Sequence, residues 1–179
     1  MHAREARQCI VEKARSFLGL NERDGSHRRI IEIYNSHRPL PRGYAMRDSD
    51  PWCAAFVSAV AISCGLTQVL PPECSNEEMI ALYRARGQWI EDDGYVPAPG
   101  DLVFFDWEDS GGGDSTGPAD HVGIVTAVGG GRIRVVEGNA GDAVRYRDLP
   151  LDSRFIRGFC RPDYSLVHAF APRARGAAI

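Results

Sequence analysis

Apolar positions recur every three or four residues through the first part of the chain and at strand-like intervals beyond Pro99. From Glu5 to Leu18, the residues Ala6, Cys9, Ile10, Ala14, Phe17 and Leu18 form one stripe that Gly19 closes. That spacing predicts a helix with one buried face. A second short helix is predicted around His27–Asn35, carrying Ile30, Ile31, Ile33 and Tyr34. The stretch "SHRPLPRGYAMRDSD" then breaks regular structure with Pro39, Pro41 and Gly43. In "DSDPWCAAFVSAV", Asp50 reads as an N-cap and Pro51 as a first-turn residue. Trp52, Ala55, Phe56, Ala59, Val60 and Ile62 continue at roughly helical spacing to a stop at Gly65. A fourth helix, "SNEEMIALYRARG", opens on a capping box of Ser75 and Glu78. It presents Met79, Leu82 and Tyr83 and ends at Gly87.

Beyond Pro99 the texture changes. "GDLVFFDW", "HVGIVTAV", "RIRVVEGN", "AVRYRDL" and "FIRGFCRP" are short, rich in Val, Ile and Phe, and separated by Gly, Asp and Pro. These read as antiparallel strands. Helices followed by a meander are an α+β pattern, not a series of βαβ units. The stretch "EDSGGGDSTGPA" reads as a flexible surface loop, since its acidic spacing does not fit an EF-hand. The tail from Ser165 reads as a fraying end.

A chain of 179 residues buries a proper core in one domain. Its formal net charge of -3 provides no general basic field for nucleic acid. No apolar run is long enough to span a membrane, and the charged N-terminus lacks the pattern of a Sec-type signal. Five scattered cysteines, Cys9, Cys53, Cys64, Cys74 and Cys160, form no C-x-x-C pair. Neither a disulfide scaffold nor a zinc site is indicated, and no cofactor is expected. Cys64 and Cys74 are close enough in sequence to meet.

Cys53 is the residue with candidate chemistry. It falls in the first turn of its helix, where unpaired N–H groups and the helix dipole favour a thiolate. A cysteine nucleophile calls for a histidine base and a group that orients it. His2, His27, His37 and His168 read as surface residues, whereas His121 opens an apolar strand. That strand runs into Gly129–Gly131 and returns through Ile133, Val135, Glu137 and Asn139, which alternate onto one face. A turn centred on Gly130 sets His121 opposite Asn139, and one centred on Gly129 sets it opposite Glu137. Either register brings both polar residues beside the imidazole. A strand end running into a turn accounts for Gly138 and Asn139, but not for a carboxylate on the apolar face.

In this order, "DPWCAAFVS", "PGDLVFF", "DHVGIV" and "VVEGN" resemble the CHAP domain, a branch of the papain-like NlpC/P60 superfamily of cell-wall amidohydrolases and peptidases. The resemblance spans Asp48–Tyr164. It implies a papain-like α+β core with the nucleophile at a helix N-terminus packed on an antiparallel sheet. It also implies cleavage of an amide bond in peptidoglycan, with Cys53 and His121 catalytic and Glu137 and Asn139 assisting. Trp52, Trp107 and Asp120, beside these motifs, are expected substrate contacts. Some CHAP lysins carry an acidic calcium loop before the cysteine. Only Asp48 and Asp50 occupy that region here, so no metal is expected. The expected layout is a helical extension over residues 1–47, a catalytic domain over 48–164 and a tail over 165–179. A peptidoglycan peptide or glycopeptide is the expected partner, whether an N-acetylmuramoyl-L-alanine amidase or a peptide endopeptidase acts on it. Two rivals are a papain-like protein deamidase or acyltransferase, and a catalytically silent module that binds wall or a partner.

Overall fold

The structure, a computed structural model, describes residues 1–92, 94–108 and 117–168. Its helices are α1 (Ala3–Ser16), α2 (Arg28–Ser36), α3 (Cys53–Ser63) and α4 (Asn76–Ala85). The strands are β1 (Trp89–Ile90), β2 (Leu102–Phe105), β3 (His121–Gly129), β4 (Arg132–Glu137), β5 (Arg145–Pro150) and β6 (Ile156–Cys160). They form one antiparallel sheet in the order β1-β6-β2-β3-β4-β5. The fold is α+β, as the texture of the chain indicates. Strand β1 escapes sequence reading because two residues are too few to show a period. No helix among the described residues is long and apolar enough to cross a membrane.

The layers follow from burial. Ala6, Ile10 and Ala14 of α1, Ile30 and Tyr34 of α2, and Ala55, Phe56, Ala59 and Val60 of α3 share one core with Leu102, Phe104, Val122, Ile124 and Val136 of the sheet. Helix α3 lies in the middle, and every residue from Cys53 to Ala61 is buried. Its apolar spacing is therefore that of a helix covered on all sides, not of a stripe. Buried Ser58 is satisfied by Glu73, donating to its carbonyl at 2.6 Å and accepting from its N–H at 2.8 Å. On the other face of the sheet, Val103, Phe105, Val125, Ile133, Val135 and Phe159 form a second cluster.

Three sequence expectations need correction. Helix α3 begins at Cys53 rather than beside Pro51, because the Asp50 carboxylate accepts from the Arg47 N–H (2.8 Å) and the Tyr44 hydroxyl (2.7 Å) instead of capping. His27 is not a surface residue. It is 3% exposed, with Nε2 3.2 Å from the Asp48 carbonyl oxygen. The tail does not fray at Ser165: Tyr164–His168 form a 3-10 turn whose Val167 is buried. The pairing left open for Cys64 is settled by the packing: its sulfur lies beside that of Cys9, and the Cys74 sulfur receives the Arg42 guanidinium at 3.2 Å. Most of the acidic Gly-rich loop (residues 109–116) and residues 169–179 lie outside the described residues.

Candidate active site

Three side chains expected to cooperate come together where β3, β4 and the start of α3 meet. Cys53 is the first residue of α3, and no side chain among the described residues caps that helix. The orphan N–H groups of the first turn thus stay available to an anion. The Ala54 N–H is one of those that stabilise the sulfur. Had Asp50 capped the helix, its carboxylate would have competed for those donors.

The β3–β4 hairpin delivers the other two. Gly130 and Gly131, with φ of 59° and 70°, make a two-residue turn between paired Gly129 and Arg132. The register slips between Val125 and Ala127, after which Gly123 pairs with Glu137. This is the alignment of a turn centred on Gly130, and it sets Glu137 diagonal to His121. His121 Nε2 lies 3.4 Å from Glu137 Oε2, with the two side chains 11% and 1% exposed. The contact is an ion pair of imperfect hydrogen-bond geometry, and neither atom has another hydrogen-bond partner among the described residues. Glycine at 123 makes the approach possible, since a Cβ there would lie 2.9 Å from Glu137 Cγ and 2.4 Å from Val135 Cγ1.

Electrostatics couple the three groups. Burial pushes the Cys53 thiol up, but the hydrogen bond and charge of His121, then Asn76 and the Ala54 N–H, outweigh it and leave it below the usual thiol range. Burial pushes His121 down, yet Cys53 and Glu137 raise it from 6.5 to about 9. For Glu137, burial is likewise overcome, by His121 and Arg147, and the carboxyl is lowered. Each group favours the charged form of its neighbour, so the arrangement favours a thiolate–imidazolium pair over two neutral groups.

Two participants carry no signal in the sequence. Both amide atoms of Asn76, the residue after the Ser75 cap of α4, lie 3.7 Å from Cys53 Sγ. Arg147 of β5 donates through Nε to Glu137 Oε1 at 2.6 Å and stacks 4.5 Å above the Trp107 ring. Neither belongs to a motif, and only the packing of α4 and the β4–β5 register bring them in.

The remaining expected residues fare differently. Asn139 lies past the end of β4 with a left-handed backbone, φ 56°, and no hydrogen bond joins its side chain to the imidazole among the described residues. Trp52 is no substrate contact: it is 0% exposed, and its indole N–H donates to Glu22 Oε1 at 2.8 Å. Trp107 is half-buried, stacked on Phe105 at 4.5 Å and 6.5 Å from the His121 ring. Asp120 is exposed, and its carboxylate accepts the Trp107 N–H at 2.8 Å, closing the mouth of the Gly-rich loop. A shallow depression lined by Arg42, Tyr44, Met46, Asp50, Pro51 and Cys74 runs past the segments that lead into Cys53 and Asn76.

Comparison with solved structures finds "The crystal structure of Ly7917", 19% identical with a TM-score of 0.41, covering 62% of this chain and 53% of that one. It also finds "The crystal structure of Ly7917 with the hydrolyzing product of MDP", 17% identical with a TM-score of 0.43, covering 87% of this chain and 62% of that one. In both cases this chain spans less than two-thirds of the matched chain. No curated protein matches. The family model of the CHAP domain matches residues 45–139, more than half of the 179 residues, and the chain belongs to the CHAP domain family.

Proposed function

We propose that this protein hydrolyses an amide bond of peptidoglycan by cysteine catalysis. The observation that carries the reading is the buried chain Cys53–His121–Glu137, built within a CHAP domain and arranged to hold a thiolate beside an imidazolium. In this mechanism the Cys53 thiolate attacks the scissile carbonyl carbon. The negative charge that develops on its oxygen meets the Cys53 N–H at the uncapped helix start and the Asn76 amide. His121 gives its proton to the leaving amine, which departs and leaves an acyl-enzyme on the sulfur. The now neutral imidazole takes a proton from water, and the hydroxide formed releases the acyl group and restores the thiol pair.

Glu137 faces Nε2, which leaves Nδ1 as the ring nitrogen for the sulfur. Arg147 holds the far oxygen of Glu137, so the carboxylate is fixed from two sides. Orientation of the imidazole rests on Glu137 in this reading, while Asn139 forms the turn that ends β4. The side chains that act lie within residues 48–164, residues 1–47 share their core, and the place of action is the cell wall.

The test is mass spectrometry of purified peptidoglycan after digestion. New muramoyl, stem-peptide or cross-bridge termini, absent with Cys53→Ala, support the reading and identify the bond. A folded protein that produces no new termini, but deamidates or acylates protein substrates, moves the same residues to the papain-like deamidase or acyltransferase alternative. A Cys53 thiol that resists alkylation at mildly acidic pH indicates the silent module, because a thiol of ordinary pKa, about 8.5, reacts poorly there.

A further inference from the structure

Away from the active site, Cys9 of α1 and Cys64, the residue that ends α3, lie with their sulfurs 2.6 Å apart. Two sulfurs in ordinary van der Waals contact sit well beyond that distance, and a disulfide bond measures about 2.05 Å. The elements around them already hold the two backbones together. Ala6, Ile10 and Ala14 of α1 pack in the same core as Val57, Val60 and Ala61 of α3. The other cysteines have different surroundings. Cys53 sits in the active site, Cys74 beside Arg42, and Cys160 is buried in β6.

We propose that Cys9 and Cys64 are a disulfide site, closed by a small disulfide oxidant, that staples α1 to the far end of the helix bearing Cys53. Access favours Cys9 as the sulfur that reacts first, because it opens onto a shallow surface depression lined by Glu5, Gln8, Glu12, Lys13 and Ser16. Burial and the neighbouring Cys9 hold the Cys64 thiol up, so Cys64 remains a thiol until Cys9 has been activated. The Cys9 thiolate attacks one sulfur of the oxidant, the other half leaves as a thiolate, and a mixed disulfide forms. Cys64 then loses its proton to solvent and attacks the Cys9 sulfur, expelling the second half. Two electrons and two protons pass to the oxidant, which ends as two thiols, while one S–S bond joins the helices. The bond closes a loop between residues 55 apart, which restricts the unfolded chain. A protein that leaves a reducing cytosol for oxidising surroundings would acquire the staple on the way. This inference does not depend on the reaction catalysed at Cys53.

The full-length protein is equilibrated with oxidised and reduced glutathione in defined ratios, quenched with acid, alkylated and mapped as peptides. At oxidising ratios a linked Cys9–Cys64 peptide is expected, with the melting temperature raised by about 5–15 °C over the reduced form. Cys9→Ser, at a partly exposed position, should lose both the link and the glutathione-dependent rise. Cys64→Ser provides the same check from the other side. Cys9 and Cys64 both remaining alkylatable in oxidised glutathione, or a link that leaves the melting temperature unchanged, would overturn the proposal.

Discussion

Burial alone would keep the Cys53 thiol neutral, so its lowered pKa depends on neighbours that can be removed one at a time. Cys53→Ala should abolish turnover while leaving the circular dichroism spectrum unchanged. Asn76→Ala should reduce kcat by about a hundredfold to a thousandfold, the range for losing one donor to an oxyanion. If kcat in Asn76→Ala equals that of the parent while the fold is intact, the amide is a bystander. Glu137 acts on charge. The ion pair exists above the pKa of Cys53 and below that of His121, so the alkaline limb of a pH–rate profile should fall near 9 as His121 loses its proton. Glu137→Gln removes an anion that raises His121, so that limb should move to lower pH and the active window should narrow. The same shift has a stability consequence with a definite sign. The folded pKa of His121 lies above 6.5, so its stabilisation is complete below that value and is lost as pH rises through about 9. Glu137→Gln should flatten that alkaline decline in melting temperature, and an unmoved profile would show that the carboxylate does not communicate with the imidazole.

At the scale of elements, the site depends on how closely the end of β4 approaches α3. Gly138 sits at that contact: a Cβ there would lie 2.3 Å from Phe56 Cβ and 3.0 Å from Trp52 Cζ3. Gly138→Ala must therefore push the strand end, and Glu137 with it, away from the helix. The expected result is a melting temperature lower by about 3–10 °C, from overpacking, together with reduced turnover. Gly129→Ala, where a Cβ would meet nothing within 4 Å, is the control and should change neither. This contact also marks how far sequence reading reaches. Alternation along β3 and β4 was enough to bring Glu137 to His121, because period-two strands joined by a short glycine turn have few registers. The slip between Val125 and Ala127 left no trace in the pattern, and neither did the turn that carries Asn139 away from the strand. Trp52 reads as a substrate contact only from its place in the motif that carries Cys53. Only three-dimensional packing shows it to be enclosed by the N-terminal segment. Asn76 and Arg147 were invisible for a related reason: each reaches the site through an element whose placement no local pattern specifies.

For the whole molecule, the question is whether residues 1–47 merely cover the catalytic unit or help build it. Arg7 of α1 points to the second. Its guanidinium lies 2.8 Å from the fully buried Asp101 carboxylate, donates to the Pro99 carbonyl at 3.0 Å and sits 4.4 Å above the Tyr164 ring. Tyr164 in turn donates to the Gly100 carbonyl at 2.7 Å. One side chain thus joins the first helix, the entry to β2 and the 3-10 turn that begins at Tyr164. Asp101 also accepts from the Tyr95 hydroxyl at 2.7 Å and the Ala98 N–H at 2.9 Å, but both are neutral donors. Arg7→Met keeps much of the apolar stem and removes the charge opposite a carboxylate that water cannot reach. Breaking a buried pair on one side costs about 3–5 kcal/mol, reduced here because Arg7 itself is 28% exposed and two donors remain. For a chain of this length, a loss of about 2–3 kcal/mol corresponds to a melting temperature lower by about 4–12 °C. Arg7→Lys should recover part of the loss, since an ammonium restores the charge but not the fork of donors. Turnover measured well below the melting temperature should be unchanged in both, because Arg7 touches none of Cys53, His121 or Glu137. If Arg7→Met melts like the parent, and residues 48–164 expressed alone fold and retain activity, the N-terminal helices are a dispensable cover. The shared core of Ile10, Tyr34 and Phe56 predicts the opposite outcome, a fragment without a cooperative transition.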